Sequence, residues 1–339
     1  MDHGPADPLD PTDPLGTADP LSDIVAMLRP HDCVAAGLDA GGDWAIRFER
    51  HAGLKCNAVL RGECRLSVEG MNGFLRLEAG DCFILPHGRP FLISARDATL
   101  GDDATTIYAP VPHGGTAVHG GGGAFFMTGA RFLLSGPAAD MLLRALPPVI
   151  VVRHDPGGST RGGAIRWTLE RIAIELRDPR PGGSLLIAHL SHALLVEVLR
   201  QHIATGRSEM RQVVPSESMG WMAALADPAI ARAIAVMHDD PARSWTVEAL
   251  ASHAAMSRTT FAVRFRRVVG QTPIGYLAQW RMLCAADRLR RTTDRIASIA
   301  ADLGYTSESA FAHAFKREMG HAPRRYAREQ LDEAKALST

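Results

Sequence analysis

The sequence predicts an α+β chain: an N-terminal antiparallel β-barrel carrying a helical hairpin, then an all-α C-terminal domain with two helix-turn-helix motifs. Three observations lead there. Short apolar runs broken by Gly, Asn and Asp fill Asp43 to Phe132. The apolar period becomes helical from Pro137 onward. A C-terminal pattern also recurs fifty positions later: Ser257-x3-Phe261-Ala262-x2-Phe265-Arg266-Arg267-x2-Gly270-x2-Pro273 returns as Ser307-x3-Phe311-Ala312-x2-Phe315-Lys316-Arg317-x2-Gly320-x2-Pro323.

At 339 residues the chain exceeds one ordinary core. The expected divisions are an acidic Pro-rich tail at 1–20, a β-rich domain with a helical hairpin at 21–204, a polar linker at 205–220 and a helical domain at 221–330. Asp-Pro recurs four times in the tail, and each proline keeps the residue before it out of the helical region, so disorder is expected there. Lys+Arg and Asp+Glu both total 37, yet Pro241 to Gln330 holds 15 basic residues against 7 acidic. An excess of about +8 in that third points to a polyanionic partner for that part of the chain.

Five cysteines, Cys33, Cys56, Cys64, Cys82 and Cys284, show no CxxC pair, which argues against structural zinc. The absence of a signal-peptide pattern and of an apolar run of about 18 residues gives the expectation of a cytoplasmic protein with reduced thiols and no membrane partner.

In chain order, Ser22 is expected to cap a short helix to Leu28, with Ile24, Val25 and Leu28 inward. Strands are expected at Trp44–Phe48, Cys56–Leu60, Leu66–Val68, Phe74–Leu77, Cys82–Leu85, Phe91–Ile93 and Thr106–Tyr108. Gly120–Gly123 has no phosphate-loop context and reads as a hairpin connection. Helices follow at Ala138–Ala145, Ile165–Leu176 and Leu185–His202, the last two forming an antiparallel hairpin that can cover the barrel or pair through its outer seam with a second subunit.

Each copy of the repeat reads as a helix-turn-helix. Thr246 and Ser257 cap the two helices of the first, and Phe261 and Phe265 at i and i+4 face inward. In the second, Ile296, Ile299, Ala300 and Leu303 make the first core face, and Ser307 caps the next helix with Phe311 and Phe315 inward. A helix from Ile274 to about Arg290, about 25 Å long, joins the copies. With the phenylalanines buried, Arg258, Thr259, Ala262 and Val263, and Glu308, Ser309, Ala312 and His313, become the base-facing candidates. Arg264, Arg266, Arg267, Lys316, Arg317, Arg324 and Arg325 are placed for phosphates.

Residues Pro228 to Arg328 resemble the DNA-binding domain of AraC/XylS-type transcriptional regulators. The matching segments are Trp245-Thr246-Val247-Glu248-Ala249-Leu250-Ala251, Met256-Ser257-Arg258-Thr259-Thr260-Phe261, Gly270-Gln271-Thr272-Pro273 and Ile299-Ala300-x2-Leu303-Gly304-Tyr305-x2-Glu308-Ser309-x-Phe311. The resemblance implies a sequence-specific regulator of promoter or operator double-stranded DNA, with an N-terminal sensing and dimerising domain. RNA polymerase is then a candidate partner. The N-terminal half resembles a cupin-like sensor domain through Gly53-Leu54-Lys55, Gly62-Glu63 and Gly80-Asp81-x4-Pro86-x-Gly88-Arg89-Pro90. Where that resemblance implies metal ligands, Lys55 replaces a Glu and Phe91 a His, so no metal or other cofactor and no catalytic residue is expected.

Two rivals remain. A cupin-type enzyme with an appended helical domain lacks its ligand set, and an RNA-binding protein lacks the expected aromatics. The signal is left open between a small-molecule effector in the barrel and a thiol switch at Cys33, Cys56, Cys64 or Cys82. Activation and repression are not distinguished.

Overall fold

The computed structural model describes residues 19–154, 161–205 and 221–336. The expected disordered tail, apart from its last two residues, and the expected linker at 205–220, apart from its helical first residue Thr205, lie outside the described residues. The chain divides into two compact units. One holds Ile24–Ala226 with Val268–Gly270, and the other holds the described residues before Ile24, Asp227–Arg267 and the chain from Gln271 onward.

The first helix, α1 (Pro20–Ala26), is capped by Asp19 and not by Ser22. The Asp19 carboxylate accepts from the Leu21 amide at 3.1 Å and the Ser22 hydroxyl at 2.6 Å, so the more acidic acceptor one turn earlier takes the cap. Ile24, Val25 and Leu28 are buried as expected.

The β-rich unit contains β1 (Arg29–Ala40), β2 (Ala45–Phe48), β3 (Leu54–Arg61), β4 (Glu63–Val68), β5 (Leu75–Glu78), β6 (Cys82–Leu85), β7 (Phe91–Ser94) and β8 (Asp102–Asp103). After α2 (Ala104–Tyr108) come β9 (Thr116–His119), β10 (Phe125–Ser135), α3 (Ala139–Ala145) and β11 (Ile150–Val152).

These strands form two separate sheets, ordered β11-β6-β3-β10-β1-β9 and β5-β4-β7-β2-β8. The expectation of one closed antiparallel barrel is therefore corrected to a mixed arrangement of two sheets. Two pairings, β1 with β9 and β2 with β8, are parallel. Apolar faces of both sheets meet in a core that includes Trp44, Ile46, Phe83, Phe91, Ile93 and Phe125.

Two local expectations fail for identifiable reasons. Thr106–Tyr108 is helical in α2 because Asp103 caps the Thr105 amide at 2.9 Å. Gly120–Gly123 does not close a hairpin, because β9 and β10 lie on opposite sides of β1 and both pair with it. The loop instead crosses the end of β1. A Cβ on Gly41 would sit 2.1 Å from the Gly122 carbonyl oxygen, so this crossing needs glycine.

The helical hairpin is α4 (Arg161–Arg177) and α5 (Gly183–Thr205). Ile165, Leu169 and Ile172 are buried on α4, and Leu190, Leu194, Val198 and Leu199 on α5. Gly183–Ile203 is long and apolar enough, by length and composition alone, to cross a membrane, although His189, His192, Glu197 and Arg200 interrupt its apolar run. The buried leucines and valine show that part of its apolar surface is used in packing.

After α6 (Trp221–Leu225), the helical unit contains α7 (Pro228–Asp239), α8 (Val247–His253), α9 (Arg258–Val269), α10 (Pro273–Arg291), α11 (Ile296–Asp302), α12 (Glu308–Met319) and α13 (Pro323–Ala336). Thr246 caps α8, and Thr272 caps α10 with Pro273 at its first position. α10 has 19 residues, about 28 Å of rod. Its Arg281 guanidinium donates to the carbonyls of Pro241 at 2.6 Å and Arg243 at 2.9 Å, and lies 5.7 Å from the Tyr305 ring centroid. α10 is thus tied to the connection before α8 and to the turn before α12.

The two repeats differ at that turn. The Met256 amide donates to Ala251, and the Tyr305 amide to Ala300, both at 2.9 Å. Met256 immediately precedes the cap Ser257, whereas Thr306 is inserted between Tyr305 and Ser307. The equivalent left-handed positions are Ala255 at φ 54° and Gly304 at φ 78°. Gly304 suits its place, since a Cβ there would lie 2.2 Å from the Ala242 carbonyl oxygen. Ala255 bears a Cβ in a conformation that favours glycine. Thermal or denaturant unfolding should therefore separate two opposite changes: Gly304→Ala should destabilise by about 2–3 kcal/mol, and Ala255→Gly should be neutral to stabilising by up to about 1 kcal/mol.

Candidate nucleic-acid interface

The two serine-led helices are built alike. The Ser257 hydroxyl accepts from the Thr260 amide, and that of Ser307 from the Ala310 amide, both at 3.2 Å. Phe261, Phe265, Phe311 and Phe315 are fully buried. Ring centroids are 5.5 Å apart for Phe261–Phe265 and 5.8 Å for Phe311–Phe315. Tyr276 abuts Phe265 at 6.0 Å, and Tyr326 abuts Phe315 at 5.4 Å. The motif Gly-x2-Pro-x2-Tyr closes both repeats and gives the two tyrosines equivalent places.

Anchoring one side exposes the other. Arg258, Thr259 and Val263 on α9 are exposed, as are Glu308, Ser309 and His313 on α12; Ala262 and Ala312 are half-buried. Val263 is 65% exposed, a large apolar side chain that contributes little to this unit's own core.

The basic candidates divide by partner. Arg266, Arg267 and Lys316 are exposed. Arg317 pairs with Glu318 at 2.9 Å and Arg325 with Glu329 at 2.7 Å, while Arg324 lies 3.6 Å from Glu308. Such exposed pairs are weak and exchange readily. Arg264 differs: its Nε donates at 2.7 Å to Asp227, the cap of α7, which is largely shielded. Sequence reasoning missed this partner, so Arg264 is engaged within the protein. Arg258 pairs with Glu248 at 2.5 Å across the α8–α9 turn.

In the β-rich unit, Cys56, Cys64 and Cys82 are buried and Cys33 is half-buried. Burial pushes the Cys64 and Cys82 thiols up to about 12, and raises Cys33 and Cys56 as well. Thiolate is the reactive form, so these sites do not favour a fast thiol switch.

The positions bearing on metal binding also come together. Lys55 Nζ lies 4.4 Å from the Phe48 ring centroid and 5.0 Å from that of Phe91, and the His51 ring meets Phe91 edge-on at 6.2 Å. An ammonium and a phenyl ring beside one imidazole do not form the ligand set that a cupin metal requires. Among the described residues no cluster of three or more His, Cys, Asp or Glu is arranged to hold a metal ion.

Residues 19–204 match the Cupin family, and residues 250–329 match a helix-turn-helix domain family. A protein of Streptomyces lividans named as an AraC-like transcription regulator is 41% identical over 309 residues, covering 91% of this chain and 97% of the relative. The chain belongs to the AraC-like transcription regulators. The regulator AlkR of Acinetobacter baylyi is 30% identical over 292 residues, covering 84% of this AraC-like regulator and 91% of AlkR. Among solved structures, the DNA-binding domain of AdpA in complex with a target DNA is 32% identical. It covers 30% of this chain and 92% of that one, with a TM-score of 0.29.

This AraC-like chain is thus a transcription regulator with a double-stranded-DNA-binding helix-turn-helix domain and an N-terminal cupin domain, not an enzyme. Thiol titration with an aromatic disulfide should find Cys56, Cys64 and Cys82 unreactive on the minute scale in the native protein and reactive after denaturation.

Proposed function

We propose that this AraC-like regulator reads its operator through two helix-turn-helix units, α8–α9 and α11–α12. The observation carrying the proposal is the matched pair of capped helices, each buried through two phenylalanines and each leaving its opposite face in water. Arg258, Thr259, Ala262 and Val263 on one helix, and Glu308, Ser309, Ala312 and His313 on the other, then meet base edges. Glu308 suits cytosine's amino group, and Val263 and the alanines suit thymine methyls. Arg266, Arg267, Lys316, Arg317, Arg324 and Arg325 take phosphates. Arg264 joins them only by leaving Asp227.

In the same proposal, 1–20 is a tail, 21–204 the effector-sensing and dimerising domain, 205–220 a linker and 221–330 the DNA-binding domain. The protein is a cytoplasmic homodimer, with RNA polymerase as a further partner at the promoter. Dimerisation is assigned to the α4–α5 hairpin, where Trp167 and Leu185 are 60% and 63% exposed and Ile174 is also exposed. Apolar side chains of that size on an open face suit a second copy.

Selection of bound sequences from random DNA, repeated over a salt series, tests the reading mode. Arg317→Ala should weaken all sites alike and lower the salt slope by about 1. Glu308→Ala and Thr259→Ala should instead change the preferred sequence. Unselective binding that survives both substitutions would refute the assignment. Light scattering at micromolar concentration should give a dimer for the native chain and a monomer for the Trp167→Glu, Leu185→Glu double variant.

A further inference from the structure

Between the two sheets a pocket of about 410 Å³ opens among residues that sequence reasoning did not assemble. Its floor and walls include Phe48, Tyr108 and Met127, an apolar body. Its polar lining is unbalanced. Lys55 and Arg131 both line it, and neither has a carboxylate partner within ion-pair distance among the described residues. Lys55 is held against the Phe48 and Phe91 rings, while Arg131 donates to the Ala52 carbonyl at 3.2 Å. The cavity carboxylate, Glu49, is exposed and paired with Arg47 at 2.9 Å. Arg50 pairs with Glu69 at 3.3 Å.

A second, independent observation comes from Asn57. It is only 3% exposed, its Nδ2 has no hydrogen-bond partner among the described residues, and it lines the same pocket. Its cross-strand neighbour is Gly129, where a Cβ would stand 2.3 Å from Asn57 Oδ1, so glycine leaves room for the amide. A buried unpaired amide costs about 1–3 kcal/mol, and two uncompensated cations in a sheltered pocket add repulsion. A ligand that accepts from these groups relieves both.

Building on the effector-sensing reading above, we propose that this pocket binds a small organic monocarboxylate. Its carboxylate is held by Lys55, Arg131 and the Asn57 amide, and its apolar body lies against Phe48, Tyr108 and Met127. The His51 ring donates through Nδ1 to the Ala52 carbonyl at 3.3 Å. Its buried Nε2, without a partner among the described residues, then remains as an acceptor for a hydroxyl on the ligand.

The pH behaviour follows from the groups that line the site. Burial, with a smaller contribution from the Arg131 charge, lowers Lys55 to about 8. Burial and the Lys55 charge lower His51 to about 4, so His51 is neutral throughout the working range. Burial raises the Tyr108 phenol, which therefore keeps its proton there. A bound anion favours the charged Lys55, so its folded-state value rises on binding. Affinity is then full below about pH 8 and is lost above it.

Calorimetry on the full chain, using phenylacetate and hexanoate with phenylacetamide, hexanol and hexylamine as matched controls, decides the matter. The two acids should bind in the micromolar to millimolar range and the controls at least tenfold more weakly. Lys55→Met should lose at least tenfold for the acids, and Asn57→Ala several-fold, with unchanged circular dichroism and unchanged DNA binding in the absence of ligand. Acid affinity should fall about tenfold between pH 8 and about 9.5 in the native protein and stay flat in Lys55→Met. Equal binding of acid and amide, equal binding to Lys55→Met, or no binding at millimolar acid overturns the proposal. Acid binding that leaves operator affinity unchanged keeps this site and removes the sensing role instead.

Discussion

The helical unit depends on the rotational phase of two helices, and that phase is set by paired phenylalanines. Phe261 and Phe265 sit one turn apart, as do Phe311 and Phe315, and all four are fully buried. Withdrawing one such ring from a core costs about 3–5 kcal/mol, more than exposed charges on the far side can recover. Neither helix can roll about its axis. Tyr276 and Tyr326 wedge the second ring of each pair from the helix that follows, so the outward residues are fixed by what lies behind them.

Much of this was legible in the sequence because the determinants are local. Ser257, Ser307 and Thr272 cap helices where their spacing from the following apolar residues places them. Gly320 ends α12 in the left-handed conformation. Less legible were features that need a partner far along the chain. The strand β1 reads Arg-Pro-His-Asp-Cys-Val-Ala-Ala-Gly-Leu-Asp-Ala, poor in strand-forming residues, and it exists because β10 and β9 flank it. The tie between Arg264 and Asp227 spans 37 positions. Thr106–Tyr108 has strand-forming composition, but one aspartate before it starts a helix. The division into two sheets could not be read from strand texture, since alternating runs do not reveal which strands pair.

In the β-rich unit, Lys55 stands where the cupin resemblance implies a glutamate. Lys55 pairs in register with Leu85 on one side and Arg131 on the other, and its ammonium rests on aromatic faces. Cation–π contact offsets part of the desolvation of the charge, but it supplies no counter-charge. The cysteines nearby are small, buried and apolar in behaviour, and they fill space between strands.

The clasp of Arg281 has a further consequence. By gripping the Pro241 and Arg243 carbonyls while lying against Tyr305, it ties α10 to the approaches of both α8 and α12, and so holds the two repeats in a fixed mutual bearing. A duplex of about 10.5 base pairs per turn presents its grooves at an azimuth that advances roughly 34° with each added base pair. On the two-unit reading proposed above, a target met by both helices preserves its helical phasing, and one base pair inserted between its halves swings the second out of alignment even when every letter of both halves is intact.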